Sequence, residues 1–340
     1  MTPIVSVIIV NYNGERLLKD CLGSLNAQTF RDFETVFVDN GSNDNSIAVA
    51  RELMPEIRIV ALNENAGFTG GNNAGFKESR GNYIVLLNND TECAPSFLDE
   101  LVKAFETELK SDARAGMAAP KILNFFDRTI IDSVGGLLTA PDGIGMGRGR
   151  GERDEGQYDA LREILMPSGC AALYSRAMLS ETGLFADDFF AYCEDMDLGL
   201  RAVWAGWRAV NAPRAAVYHK YSASSSSYSA FKMQLVERNH YFLALKNFTF
   251  AMLLAFPFWT LYRYFLMGYA VLRGKGKGQA AGSEKLSALL GAFFAGHWQA
   301  LMGSVRQLRN RPKVKRLSVS EFSAILKRNR VSLAAIILSE

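Results

Sequence analysis

Val5-Ser6-Val7-Ile8-Ile9-Val10-Asn11-Tyr12-Asn13-Gly14 is a short β-branched run closed by an Asn/Gly turn, and its reading separates this chain from other α/β proteins. The apolar run reads as a strand. A dinucleotide-binding fold places Gly-x-Gly-x-x-Gly directly after its first strand. The turn here is Asn11-Tyr12-Asn13-Gly14, which weakens a dehydrogenase reading. Outward from this point, Leu17, Leu18, Cys21, Leu22 and Leu25 recur at helical spacing. Thr35–Val38 predicts a second strand ending at Asp39, Ile47–Leu53 a helix and Arg58–Ala61 a third strand. A Gly/Asn-rich loop is expected over Asn63–Gly75. The fully apolar strand Tyr83–Leu87 then runs into Asn88-Asn89-Asp90. Strands alternating with helices imply crossovers and a parallel sheet. Ligands of such open sheets bind beyond the carboxyl ends of the strands. Asn11, Asp39, Asn65 and Asp90 each follow an apolar strand, so the sheet should gather them along one edge.

Each motif allows a functional and a purely structural reading. Asp39-Asn40-Gly41-Ser42 places a carboxylate where it can accept from a pyrimidine N–H or a ribose hydroxyl, and it also suits a helix N-cap turn. In Asn65-Ala66-Gly67-Phe68-Thr69-Gly70-Gly71-Asn72-Asn73-Ala74-Gly75, small residues permit close backbone approach to a ligand, and the amides offer donors and acceptors to a diphosphate-ribose unit. Asp90 can hold a hard divalent cation against phosphate oxygens, because magnesium needs only one or two protein carboxylates. An Asx turn would use the same residue. Glu194-Asp195-Met196-Asp197 sets three acids between aromatic and apolar stretches. A helix beginning near Glu194 would put all three in its first turn, where the helix dipole favours ionised carboxylates. Asp197 also stands at the spacing for pairing with Arg201. His219 follows the apolar Ala215–Tyr218 run, as a structural residue or as a ligand.

Charge divides the chain in two. Residues 1–272 carry 25 Lys/Arg against 32 Asp/Glu, whereas residues 273–340 carry 13 against 3. A basic segment can meet nucleic acid or an anionic membrane, and its neighbourhood favours the membrane. Phe248–Leu272 is 25 residues with the single charge Arg263, and Ser287–Leu301 has apolar residues at helical spacing. Basic clusters flank both, at Arg273–Lys277 and Arg306–Arg316. Interfacial helices fastened to anionic lipid, spanning or re-entrant helices, and a soluble or oligomerising tail are the three readings. Homo-oligomers are compatible with the last, and nucleic acid is not expected as a partner. The four cysteines show no C-x-x-C spacing, so neither a disulfide framework nor a zinc site is expected. The Gly-rich basic stretch Gly143–Gly151 reads as a mobile loop. Length predicts one large catalytic domain, residues 1–245, with a helical, membrane-associating appendage over 246–340. The N-terminus resembles no secretory signal, so the catalytic part is expected in reducing cytosol, at the cytoplasmic side of the inner or plasma membrane.

Taken in order, Val5–Gly14, Val38–Ser42, Asn65–Gly75, Leu87–Thr91 and Glu194–Leu198 resemble family 2 of the inverting glycosyltransferases, and most closely its rhamnosyltransferase-like branch in polysaccharide assembly. The likeness covers roughly residues 4–225. It implies a GT-A (Rossmann-like) nucleotide-sugar-binding domain followed by the basic helical region. It further implies that Asn11, Tyr12 and Asp39 hold base and ribose, that Asn65, Gly67 and Asn72 line the sugar-nucleotide pocket together with Asn88 and Asn89, and that Asp90 and His219 bind Mg2+ or Mn2+. Asp195 would be the general base, with Glu194 shaping the acceptor pocket. The family's Asp-x-Asp is Asn88-Asn89-Asp90 here, without its first carboxylate. The implied reaction is a single displacement from a nucleoside-diphosphate sugar to a hydroxyl of a lipid-linked or polysaccharide acceptor. A sugar nucleotidyltransferase or a non-catalytic sugar-nucleotide-binding scaffold are the alternatives. Release of pyrophosphate would identify the former, and tolerance to loss of Asp195 the latter.

Overall fold

A computed structural model describes residues 3–220, 229–273 and 286–338; of the expected basic cluster Arg273–Lys277, all but Arg273 lies outside them. The amino-terminal half begins β1 (Val5–Asn11), α1 (Leu18–Asn26), β2 (Phe33–Asp39), α2 (Ser46–Leu53), β3 (Arg58–Ala61), α3 (Gly67–Glu78), β4 (Tyr83–Leu87), β5 (Thr91–Cys93) and α4 (Phe97–Ser111). There follow β6 (Ala115–Asn124), β7 (Ile131–Ser133), β8 (Leu137–Thr139), β9 (Gly145–Gly147), β10 (Glu163–Ile164) and β11 (Ala171–Ser175). After α5 (Arg176–Thr182) and α6 (Glu194–Trp204) comes the long β12 (Arg208–His219). Helices α7 (Ala230–Asn247), α8 (Phe250–Arg273), α9 (Leu286–Arg309), α10 (Val319–Arg328) and α11 (Leu333–Leu338) complete the described chain.

One mixed sheet runs β10-β12-β6-β11-β4-β1-β2-β3, with β5 on β12 and β7 on β6, while β8 and β9 pair separately. The expected parallel block is present as β4-β1-β2-β3, and β11 enters antiparallel between β4 and β6. Alternation along β1 feeds both faces. Val5, Val7 and Ile9 pack with Leu18, Leu22, Phe97 and Phe105 of α1 and α4, whereas Ile8 joins Leu198, Leu200 and Trp204 of α6 on the other side.

Two expectations are corrected. Residues 67–75, expected as loop, lie in α3. The reason is packing: a Cβ on Gly71 would stand 2.6 Å from Val10 Cγ1, and one on Gly75 2.5 Å from Ile8 Cγ2. The glycines that suggested looseness let a helix lie close against β1. Gly143–Gly151, expected as a mobile loop, contains β9 hydrogen-bonded to β8.

The helical C-terminal region shares a core with the sheet. Phe242, Phe256, Phe322 and Leu326 belong to the same core as Ile8, Leu86 and Trp204, and Phe322 stacks on Trp204 at 3.9 Å. Residue 245 falls inside α7. The charge in the middle of α8 is turned inward: Arg263, 3% exposed, donates to both carboxylate oxygens of Glu237 at 2.8 Å and pairs with Asp142 at 2.8 Å. Burial opposes ionisation of Glu237, but Arg263 overrides it and holds that carboxyl down at about 2. The opposite face of α8 is apolar and open to solvent through Phe250, Leu254, Phe258, Leu261, Phe265 and Leu272. Helix α9 exposes a matching row of Phe294, Trp298, Leu301, Met302, Val305 and Leu308.

Candidate active site

The carboxyl edge of the parallel block carries the first group of polar residues. Asn11 and Asp39 end β1 and β2 as register partners. Asp39 is 3% exposed; its Oδ2 accepts from the Ser42 N–H at 3.1 Å, while its Oδ1 is buried without a hydrogen-bond partner. A buried, unpaired carboxylate oxygen is costly unless a ligand completes it. Asn11 Oδ1 accepts from Asn89 Nδ2 at 2.7 Å, joining the turn after β1 to the turn after β4. Tyr12 stands exposed beside them. Asn65 Oδ1 accepts from the Gly67 N–H at 2.9 Å and from Asn40 Nδ2 at 3.0 Å, fixing the entry to α3. Gly67 has φ +73°, and a Cβ there would stand 2.4 Å from the Phe190 carbonyl oxygen. Asn72 lies buried within α3, its Nδ2 donating to the Phe68 carbonyl at 2.8 Å.

The second group gathers at the end of β4. The Asn88 N–H donates to the Cys170 carbonyl at 2.9 Å. Asp90, 4% exposed, turns Oδ1 toward His219 Nε2 at 3.3 Å. His219 ends β12 opposite Thr91 of β5, so a pair far apart in sequence is set by strand register. Its Nδ1 lies 2.7 Å from Oδ2 of Asp132 on β7. Asp132 also pairs with Arg150 at 2.6 Å. Nothing in the sequence singled out Asp132, because a three-residue strand has no measurable period. Among the described residues, no cluster of three or more His, Cys, Asp or Glu side chains could hold a metal by itself.

The acid cluster behaves as three different groups. Helix α6 begins at Glu194, as its expected start near that residue required. Asp197 pairs with Arg201 and Lys246 at 2.9 and 2.8 Å and accepts from Asn247 Nδ2; burial opposes its charge, but these cations hold its pKa below the usual carboxylate range. It is a structural anchor. Asp195 is partly exposed and accepts from the Gly169 N–H at 3.0 Å and the Met196 N–H at 2.8 Å. Glu194 is buried, with Oε2 unpartnered. Burial raises the pKa of both, and the neighbouring charge of Asp195 raises Glu194 well above the usual range. Of the two, Glu194 is pushed further toward its neutral form, by burial and by the charge of Asp195, while the Gly169 and Met196 N–H groups favour the charged form of Asp195.

The segment leading into these acids is strained. Phe190, Tyr192 and Cys193 have φ of 61°, 70° and 65°, and non-glycine residues in such wells cost about 1–3 kcal/mol each unless the surroundings enforce them. Asn239 of α7, fully buried, donates its Nδ2 to the carbonyls of Phe189, Ala191 and Tyr192, each at 2.8 Å. Neither Asn239 nor Lys246 carried a sequence signal; both lie on a helix whose role depends on what it packs against.

Comparison with known proteins bears on family and fold. Residues 6–183 match the family model "Glycosyl transferase family 2". An N-acetylglucosaminyl-diphospho-decaprenol L-rhamnosyltransferase from Mycobacterium tuberculosis is 28% identical over 241 residues, covering 64% of this chain and 76% of that one. The uncharacterized glycosyltransferase YwdF of Bacillus subtilis is 27% identical over 239 residues, covering 66% and 77%. Among solved structures, a mannosyltransferase from Pyrobaculum calidifontis in complex with GDP-Man and Mn2+ aligns over 97% of this chain and 87% of its own, at 17% identity and TM-score 0.54. S. aureus TarS in complex with UDP aligns over 91% and 89%, at 18% identity and TM-score 0.52. At such identities these structures establish the fold, which is GT-A.

Proposed function

The chain belongs to glycosyl transferase family 2, and from that premise we propose that it inverts configuration while moving a sugar, rhamnose in the favoured case, from a nucleoside-diphosphate donor to a hydroxyl of a lipid-linked acceptor. One observation carries the reading. Gly169 binds Asp195 through its N–H, and the next residue, Cys170, accepts through its carbonyl from Asn88 at the head of the Asn88-Asn89-Asp90 turn. Two adjacent residues thus tie the proposed base to the turn that would face the leaving diphosphate.

Asp39 Oδ1 is the acceptor for a base N–H or ribose hydroxyl, beside Asn11, Tyr12, Asn65, Gly67, Asn88 and Asn89; Asn72 supports this pocket from within α3. Asp195 removes the acceptor hydroxyl proton as that oxygen attacks the anomeric carbon, and the nucleoside diphosphate leaves from the opposite face. Glu194, whose neutral form is favoured by burial and by the charge of Asp195, can in that form donate a hydrogen bond to an acceptor oxygen. The Asp90 carboxylate suits Mg2+ or Mn2+, and the Asp132 contact leaves His219 Nε2 facing Asp90; an imidazole nitrogen is the softer ligand, so the pair would hold Mn2+ more readily than Mg2+, the shell being completed by phosphate oxygens and water. Such a cation, when bound, neutralises charge developing on the diphosphate.

The apolar rows of α8 and α9 are proposed to lie in the cytoplasmic leaflet of the inner or plasma membrane. By length and composition α8 is long and apolar enough to cross a bilayer. A span, however, would strip Arg263 from its two carboxylates, so the interfacial placement is favoured. The mycobacterial relative's decaprenol-linked acceptor is consistent with a site beside such a surface. Incubating the protein with a panel of nucleotide sugars and quantifying nucleoside diphosphate release, with and without prenyl-diphosphate-linked acceptor, tests the reading and names the donor. Pyrophosphate release instead would replace it with nucleotidyl transfer.

A further inference from the structure

We infer that Asn239 is the positioning residue of the acid pair: through its amide, α7 holds the backbone of residues 189–192 in the turn that aims Glu194 and Asp195 into the site. This rests on the reading of Asp195 as the base. Residues 190–193 belong to no helix or strand; the Phe189 carbonyl before them also accepts from the Ala191 N–H at 2.7 Å and from Arg238 Nη2 at 2.9 Å. The φ values at Phe190, Tyr192 and Cys193 are ones that L side chains rarely adopt, so something outside the segment must enforce them.

The hydrogen bonds identify what does. Of the four carbonyls from Phe189 to Tyr192, three lie 2.8 Å from Asn239 Nδ2 and share its two hydrogens, and the fourth, of Phe190, accepts from the Thr69 N–H at 3.1 Å. The amide is oriented without ambiguity: three acceptors fix Nδ2, and Oδ1 accepts from Arg238 Nε at 2.9 Å. The next carbonyl, of Cys193, accepts from the Asp197 N–H at 3.0 Å and opens α6. A displacement at Asn239 is therefore passed within four residues to Asp195. Helix α7 can serve as the fixed point because Glu237, two residues before Asn239, is locked to Arg263. The Phe190 contact to Thr69 and Gly67 ties the same turn to the donor-side start of α3, so a single clamp sets the base against the donor pocket.

The test compares N239A and N239D in the full-length protein with D195N and, as a destabilised control away from the site, L333A. Nucleotide binding is read by calorimetry with the donor's nucleoside diphosphate, folding by circular dichroism, and transfer as kcat and KM. A shift of the base by about 1 Å costs on the order of 100-fold, so N239A should lose about 100-fold in kcat while KM for donor and nucleotide affinity stay within about threefold. N239D keeps the side chain's shape, and its buried carboxyl facing three carbonyls takes a proton, restoring one O–H donor. Its kcat relative to wild type at the same pH should recover as pH is lowered. If N239A does not fold, N239D alone decides. Folded variants with kcat within about threefold of wild type overturn the inference and leave the function standing. A parallel loss of kcat and nucleotide affinity, or an equal kcat loss in L333A, overturns it as well, by reducing Asn239 to packing. Undiminished transfer by D195N would instead remove the base assignment beneath it.

Discussion

At the scale of single residues, the fold gives chemically alike carboxylates of the candidate site different surroundings. Asp197 is neutralised by Arg201 and Lys246; Asp195, two positions earlier, accepts from the backbone N–H groups of Gly169 and Met196. Asp195→Asn should lower kcat by about 1,000-fold, within the range general bases contribute, with nucleotide affinity retained in a calorimetric titration. A base must be ionised, and burial raises the Asp195 pKa, so wild-type kcat should fall with decreasing pH along a limb lying above the ordinary carboxylate range. A kcat that holds level down to the usual aspartate range would contradict the assignment. Asp132→Asn removes the carboxylate behind His219. Partners of this kind are worth about 10–100-fold in metal affinity, and Mn2+ titration followed by electron paramagnetic resonance should show a loss of that size.

Elements impose the next level of constraint. Helix α3 lies against β1 only because Gly71 and Gly75 have no side chains to intervene. Gly71→Ala should destabilise the protein by about 1–3 kcal/mol through overpacking, and adding Val10→Ala should return part of it, both read from urea midpoints. Helix α8 is held differently. Arg263→Ala would leave Glu237 and Asp142 buried without their cation, at a cost of about 3–5 kcal/mol. A melting temperature unchanged from wild type would show that the ion network does not hold α8 to α7.

For the whole molecule, sheet and helical tail share one core. Removing everything after residue 245 would take Phe256, Phe322 and Leu326 out of a shared core, so truncation would report on folding before it reported on membranes. Surface substitutions separate the two. Phe258→Ser, Phe265→Ser and Trp298→Ser together alter exposed side chains, and should abolish cosedimentation with anionic vesicles while preserving the melting transition. Retained sedimentation would remove the interfacial proposal and leave the catalytic one intact.

The sequence by itself determined the local plan: the β–α alternation, the polar residues at strand ends, the start of α6 and the Asp197–Arg201 pair all follow from short-range pattern and spacing. It also supplied the ordered motifs that resemble the family. Tertiary structure decided what depends on neighbours distant in the chain. Glycine denotes looseness or close packing alike, and only β1 beneath α3 distinguishes them. Whether Arg263 would face lipid or protein depended on Glu237 and Asp142. The three acids at the head of α6 became a salt-bridged anchor, a base candidate held by backbone N–H groups and a buried partner pushed toward its neutral form, according to which cations, amides and buried walls the fold brought to each. An ionisable group's charge is set by its surroundings, and those are assembled by folding.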